Sequence, residues 1–108
     1  MDVWGQVIET SKIKKICKLK NIKIIKDAAE SVGSHGKSQK ANNSTIDSDI
    51  ACFSFNGNKI ITTGSGGMLS TNNKRYHEKA MYYAAQAKND KIRFIHNDVG
   101  YNYGMNSI

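Results

Sequence analysis

The chain has 108 residues, a formal net charge of +7 and 39% hydrophobic residues; that is one domain at most, and a chain this short buries only roughly two thirds of its unfolded surface. Lysine outnumbers arginine 14 to 2, and arginine is the usual reader of bases and phosphates, so the charge reads as solvated lysine-rich faces and argues against a nucleic-acid partner. No secretory apolar region opens the chain, no stretch approaches the roughly 20 apolar residues of a membrane span, and Cys17 and Cys52 lie far apart in apolar runs as buried thiols would, which together point away from a membrane and toward a reducing, cytoplasmic setting.

In chain order, "MDVWGQVIET" (1–10) reads as a short strand or loop. "SKIKKICKLK" follows, with Ile13, Ile16 and Cys17 at helical spacing, lysines on the outer face, and Thr10 or Ser11 available as a cap. In "NIKIIKDAAE" the β-branched Ile22, Ile24 and Ile25 predict a buried strand that ends near Asp27. Residues 31–49 are polar and dotted with glycine, which predicts a long loop with room for a short hairpin. Ile50 to Phe55 is the next strand, the glycine-containing segment carrying Lys59 comes after it, and "GGMLST" is a further short strand. "NNKRYHEKAMYYAAQAK" predicts a helix capped by Asn72 or Asn73, with Ala80, Tyr83, Ala84 and Ala87 along one face. The tail from Asn89 reads as irregular. Helices mixed with short apolar strands give an α/β sheet flanked by helices.

Asp27 stands at the carboxyl end of a predicted strand, where open α/β sheets gather ligands; from position alone it is either a loop-start residue or a ligand contact. The small residues Ala28 and Ala29 after it either pack tightly or let a flat ligand approach. Lys59, five residues beyond Ser54, is either an ordinary surface lysine or a nucleophile activated by desolvation or nearby positive charge. Gly57, Gly64, Gly66 and Gly67 would let backbone come close to a bound group. The segment is no phosphate-binding Walker loop, because Lys59 precedes the glycines and no Gly-Lys-Ser/Thr occurs. His35, His77 and His96 share no metal-ligand spacing.

Five segments stand together as a pattern: "VWGQ", "IIKDAAESVGS", "DIACFSFNGNKIITTGSGGMLSTN", "QAKND" and "IHNDVGYNYGM". Their order and spacing resemble the central part of the DegT/DnrJ/EryC1/StrS family of pyridoxal-phosphate-dependent sugar aminotransferases. Within it, "FSFNGNKIITTG" is most similar to enzymes that aminate UDP-4-keto sugars of the bacillosamine or legionaminic acid type, with perosamine-type GDP-sugar enzymes nearby. The resemblance implies that residues 1–108 are part of the large cofactor-binding domain of a fold-type I aminotransferase, without its N-terminal part and C-terminal domain. It implies pyridoxal 5'-phosphate as cofactor, a nucleotide-linked keto sugar and glutamate as substrates, and a homodimer.

By the same resemblance Lys59 matches the lysine that holds the cofactor covalently, and Asp27 the buried aspartate paired with its ring nitrogen. Glu30 matches a position near the phenolic oxygen, Ala29 supports the ring face, and Ser54 donates to the phosphate. Asn102, in "GYNY", matches an asparagine that reaches the cofactor of the neighbouring subunit. Related dehydratases carry histidine at the lysine position, so Lys59 favours transamination. The chain departs from the family pattern at Asp2, usually histidine, at Lys26, commonly glutamate, at Ser65 and at Gly104. An alternative function is that of a catalytically inactive partner of a full-length subunit.

Overall fold

The computed structural model describes residues 1–34, 48–90 and 92–105. Most of the predicted 31–49 loop, with His35, lies outside the described residues.

Three strands form the central sheet: β1 (Ile25–Asp27), β2 (Ile50–Ser54) and β3 (Gly67–Ser70), in the order β1-β2-β3. β1 runs parallel to β2, with Ile25 opposite Ile50 and Asp27 opposite Cys52. β3 returns antiparallel, with Ala51 opposite Ser70 and Ser54 opposite Gly67. The carboxyl ends of the two parallel strands therefore lie side by side, one carrying Asp27 and the other Ser54. The predicted α/β sheet is present, and each strand is shorter than its apolar run.

Helix α1 (Ser11–Leu19) precedes β1. Its end is set by the backbone. Asn21 takes a left-handed φ of 52°, the Ile22 N–H donates to the Cys17 carbonyl at 2.8 Å, and the Asn21 N–H donates to Lys18 at 3.3 Å. This is the paired closing pattern that satisfies the last helical carbonyls. At the other end Thr10 is the cap residue, but its hydroxyl makes no cap bond and is buried without a partner among the described residues. Helix α2 (Lys74–Ala84) does carry a cap, since the Asn73 side chain accepts from the Tyr76 N–H at 3.3 Å. The prediction carried α2 on to Lys88; instead Gln86 and Ala87 adopt φ of 65° and 51°. Two successive left-handed residues break the helical ladder. Ala87 turns inward to become fully buried, and Lys88 opens a hairpin of β4 (Lys88–Asp90) and β5 (Ile95–His96) in the tail predicted to be irregular.

Burial follows strand alternation more closely than hydrophobicity. In β1 it is Lys26 that points inward, while Ile25 and Asp27 face out, and Ile22 is also exposed. Of the isoleucines expected in a buried strand, Ile22 and Ile25 thus lie exposed and Ile24 is half-buried, because a period of two ties Ile25 to Asp27 and a counter-charge awaits Lys26 inside. In β2 the same alternation buries Ala51 and turns Cys52 outward. Cys52 is exposed and Cys17 half-buried, so neither is the buried thiol the sequence suggests. Among the described residues the fully buried apolar side chains are three alanines, Ala28, Ala51 and Ala87. No helix among them is long and apolar enough to cross a membrane.

The β2–β3 pairing depends on Gly67, where a Cβ would press into the Phe53 carbonyl oxygen. Gly67→Ala is expected to destabilise the fold by about 1–3 kcal/mol through overpacking, read as a lower urea midpoint. An unchanged midpoint would show that the strands part without cost.

Candidate functional site

Asp27 ends β1, and the chain turns at once: the Ala28 N–H donates to the Cys52 carbonyl at 2.8 Å and the Ser31 N–H to the Ala28 carbonyl at 3.1 Å. Ala28 is fully buried and Ala29 half-buried, so the turn packs closely against β2. The Ala29 N–H donates to Asp27 Oδ1 at 3.1 Å. Asp27 is exposed, whereas the resemblance implied a buried anion. The cause is again the alternation that sends Lys26 inward.

Glu30 is the hub. Its Oε2 accepts the Trp4 N–H at 2.7 Å, and its Oε1 lies 3.3 Å from Lys59 Nζ. Both partners stabilise the anion, the Trp4 N–H first and the Lys59 ammonium second, and hold the Glu30 carboxyl below its ordinary value. The Lys59 side chain is only 18% exposed. Its loop is closed at the base: the Phe55 carbonyl accepts the Thr63 N–H at 3.0 Å and the Thr62 hydroxyl at 3.0 Å. The Lys59 N–H then donates to the Asn56 carbonyl at 3.0 Å, a tight turn that aims the side chain toward Glu30. Gly66, with φ of 95°, lets the Met105 segment lie directly over the loop's far end.

The structure therefore joins Lys59 to Glu30 and sets Asp27 and Ala29 on the same turn. Ser54 sits at the end of the neighbouring strand, where its Oγ accepts the Asn56 N–H at 3.3 Å. Asn102 is not brought to this cluster. Its Oδ1 accepts the Gly104 N–H at 3.3 Å, and its backbone bridges Ala85 beyond the end of α2. Cys52, facing out opposite Asp27, has its thiol pushed up by burial and then by the Asp27 charge.

Sequence reasoning missed three participants. Trp4 holds Glu30 through its backbone N–H, from a left-handed φ of 52°, with its indole 91% exposed. Nothing in the residue type signals that role, because a main-chain donor leaves no side-chain signature. Asp2 and Lys26 form an ion pair at 3.0 Å with side chains 0% and 3% exposed. Their signal was in the sequence: each departs from the family pattern, and the structure shows that the two departures are partners.

Because Glu30 is depressed in the folded state, its contacts with Trp4 and Lys59 contribute stability that is complete above the unfolded glutamate value and lost as pH falls through the lower folded value. The fluorescence of Trp4, the chain's one tryptophan, is expected to titrate with a midpoint below the ordinary 4.5. Glu30→Gln is expected to remove that transition. A midpoint at or above 4.5 would contradict the assigned contacts.

The model of the DegT/DnrJ/EryC1/StrS aminotransferase family matches residues 1–108. EpsN of Bacillus subtilis, whose name places it among pyridoxal phosphate-dependent aminotransferases, is 37% identical over 108 residues, 100% of this chain and 27% of that protein. The GDP-perosamine synthase of Escherichia coli O157:H7 is 35% identical over 106 residues, 98% of this chain and 28% of that protein. Among solved structures, Helicobacter pylori PseC, an aminotransferase involved in the biosynthesis of pseudoaminic acid, superposes with a TM-score of 0.79 at 27% identity, over 94% of this chain and 27% of that one. The chain thus spans little more than a quarter of the length of these relatives.

Proposed function

Because the chain belongs to the DegT/DnrJ/EryC1/StrS aminotransferase family, whose members depend on pyridoxal 5'-phosphate, we propose that it carries the cofactor-facing segment of a sugar-nucleotide aminotransferase. The reaction in this reading is transfer of an amino group from glutamate to a nucleotide-linked 4-keto sugar. Residues 1–108 are then part of the large domain. The single observation that carries the proposal is the Lys59–Glu30 contact at 3.3 Å, an amine held beside a turn that also bears Asp27.

The donor set fits the cofactor. Asp27 commits Oδ1 to the Ala29 N–H and leaves Oδ2 without a hydrogen bond among the described residues, as a carboxylate meant for a protonated ring nitrogen would. Ser54 Oγ accepts a backbone bond and keeps its own proton to give to a phosphate. Ala28 and Ala29 offer no side chain that would stand between Asp27 and a flat ring. Pyridoxal 5'-phosphate, when bound, supplies the electron sink that transamination needs.

The protein's own residues divide the rest. Lys59 Nζ carries the proton to and from the reacting carbon, as base and then acid. Glu30 Oε1 holds that amine in place when it is not joined to the cofactor and is itself held by the Trp4 N–H. Asp27 balances the charge on the ring nitrogen, and Ala29 supports the ring face. Asn102, on the exposed segment beyond α2, serves the site of a second subunit in a homodimer. The relative named for GDP-perosamine supports a nucleotide-sugar substrate. A second reading, an inactive chain that pairs with a full-length subunit, is favoured by the exposed, stacked rings of Tyr101 and Tyr103.

Incubation with pyridoxal 5'-phosphate followed by borohydride reduction is expected to leave one adduct, on Lys59 by peptide mass spectrometry. Lys59→Arg should abolish it. Adduct spread evenly over the lysine-rich α1 and Lys59 would refute a specific site. Co-elution with a full-length relative in the absence of adduct would favour the second reading.

A further inference from the structure

We infer that the buried Asp2–Lys26 ion pair is a positioning device for the carboxylate-bearing turn, setting Asp27 and Glu30 from behind. The inference rests on reading Asp27–Glu30 as the cofactor-facing segment.

The geometry is that of a clasp. Asp2 Oδ2 takes Lys26 Nζ at 3.0 Å and the Ser31 hydroxyl at 2.9 Å. Lys26 is the residue immediately before Asp27, and Ser31 the residue immediately after Glu30. One carboxylate oxygen thus grips both ends of the four-residue turn. The Asp2 backbone adds a third tie, its N–H donating to the Asp27 carbonyl at 2.9 Å. Asp2 Oδ1 accepts the Ile8 N–H at 3.2 Å, which fixes Asp2 itself against the segment that follows. Two residues on from Asp2, the Trp4 N–H reaches back to Glu30 Oε2 at 2.7 Å. Segments 2–4 and 26–31 are therefore laced together, and every tie ends on a residue that is, or adjoins, one of the two site carboxylates.

Burial makes the clasp stiff. Asp2 is 1% exposed, Ser31 3% and Lys26 4%. In water such a pair would exchange partners freely, whereas a buried charge has nowhere else to satisfy itself. Neither Asp2 nor Lys26 touches the Lys59 amine. Both are positioning residues, acting through the turn they hold.

Two amide protons report directly on the two carboxylates: Trp4 N–H on Glu30, and Ala29 N–H on Asp27. In nuclear magnetic resonance spectra of the chain without cofactor, both signals are expected downfield, where a hydrogen bond to a carboxylate puts them, and the Trp4 signal is expected to follow protonation of Glu30. The double variant Asp2→Asn/Lys26→Met removes both charges and leaves neither unpaired. It should shift both amides upfield and flatten the pH response of the Trp4 signal, while the α1 and α2 signals stay in place. Lys26→Arg keeps the charge pair and should leave both signals where they are. If the double variant folds and the Trp4 and Ala29 signals are unchanged, the inference is overturned.

Ser31→Ala covers the case in which the double variant does not fold. It cuts the tie next to Glu30 and leaves the ion pair intact, so the Trp4 amide should shift more than that of Ala29. An unaltered Trp4 signal in Ser31→Ala would overturn the inference on its own. No cofactor is present in these measurements, so a negative labelling result at Lys59 and a negative result here are separate findings.

Discussion

A single ion pair sealed from water organises the site side of this chain. Lys26 and Asp2 meet at 3.0 Å in an interior whose fully buried apolar side chains, among the described residues, are alanines. Breaking a buried pair by removing one partner typically costs about 3–5 kcal/mol, because the other charge is left uncompensated. Replacing both charges by apolar groups is often neutral. The pair is therefore better understood as a source of specificity than of net stability. It selects which face of β1 turns inward, and so decides that Asp27 faces outward.

That choice explains where reading the sequence succeeded and where it failed. The order of the strands and helices was legible, because Ile50–Phe55, "GGMLST" and the Asn73-capped helix carry strong local signals. Which residues are buried was not. "NIKIIKDAAE" invites the isoleucines into a core, yet Ile25 is 69% exposed and Lys26 4%. Hydrophobicity gives the wrong face when the partner that makes a charge tolerable lies 24 positions earlier in the chain. Cys52 fails for the same reason, since Ala51 beside it takes the inward place. The ends of α1 and α2 depend on left-handed residues at Asn21, Gln86 and Ala87, and only the asparagine is a type that favours that conformation.

The site residues divide along the same line. Glycines, a strand end and a family pattern single out Lys59, Asp27 and Ser54, and the structure sets Asp27 and Ser54 at the carboxyl ends of neighbouring strands. Lys59 meeting Glu30 was not, since 29 residues separate them and the contact depends on a loop closed by the Phe55 carbonyl. Trp4 was hidden because its part is played by a main-chain N–H. Asn102 matched its motif, but its hydrogen bonds stay within its own segment and at the end of α2.

The clasp and the hub also constrain each other. Glu30 is drawn in one direction by the Lys59 ammonium and in another by the Trp4 N–H, and Trp4 stands two residues from Asp2. A shift of the 2–4 segment would therefore move the anchor of Glu30 and the Lys26 counter-charge together. Asp27 and Glu30 cannot drift apart independently, because the same short segment restrains both ends of their turn. In the reading proposed above, that shared restraint fixes the spacing between the two carboxylates before any ligand arrives. Preorganisation of this kind lowers the ordering cost of binding there. It also accounts for a positively charged residue lying next to Asp27 without competing for its carboxylate. Lys26 is turned to the opposite face and already neutralised by Asp2, and among the described residues Asp27 Oδ2 takes no hydrogen bond.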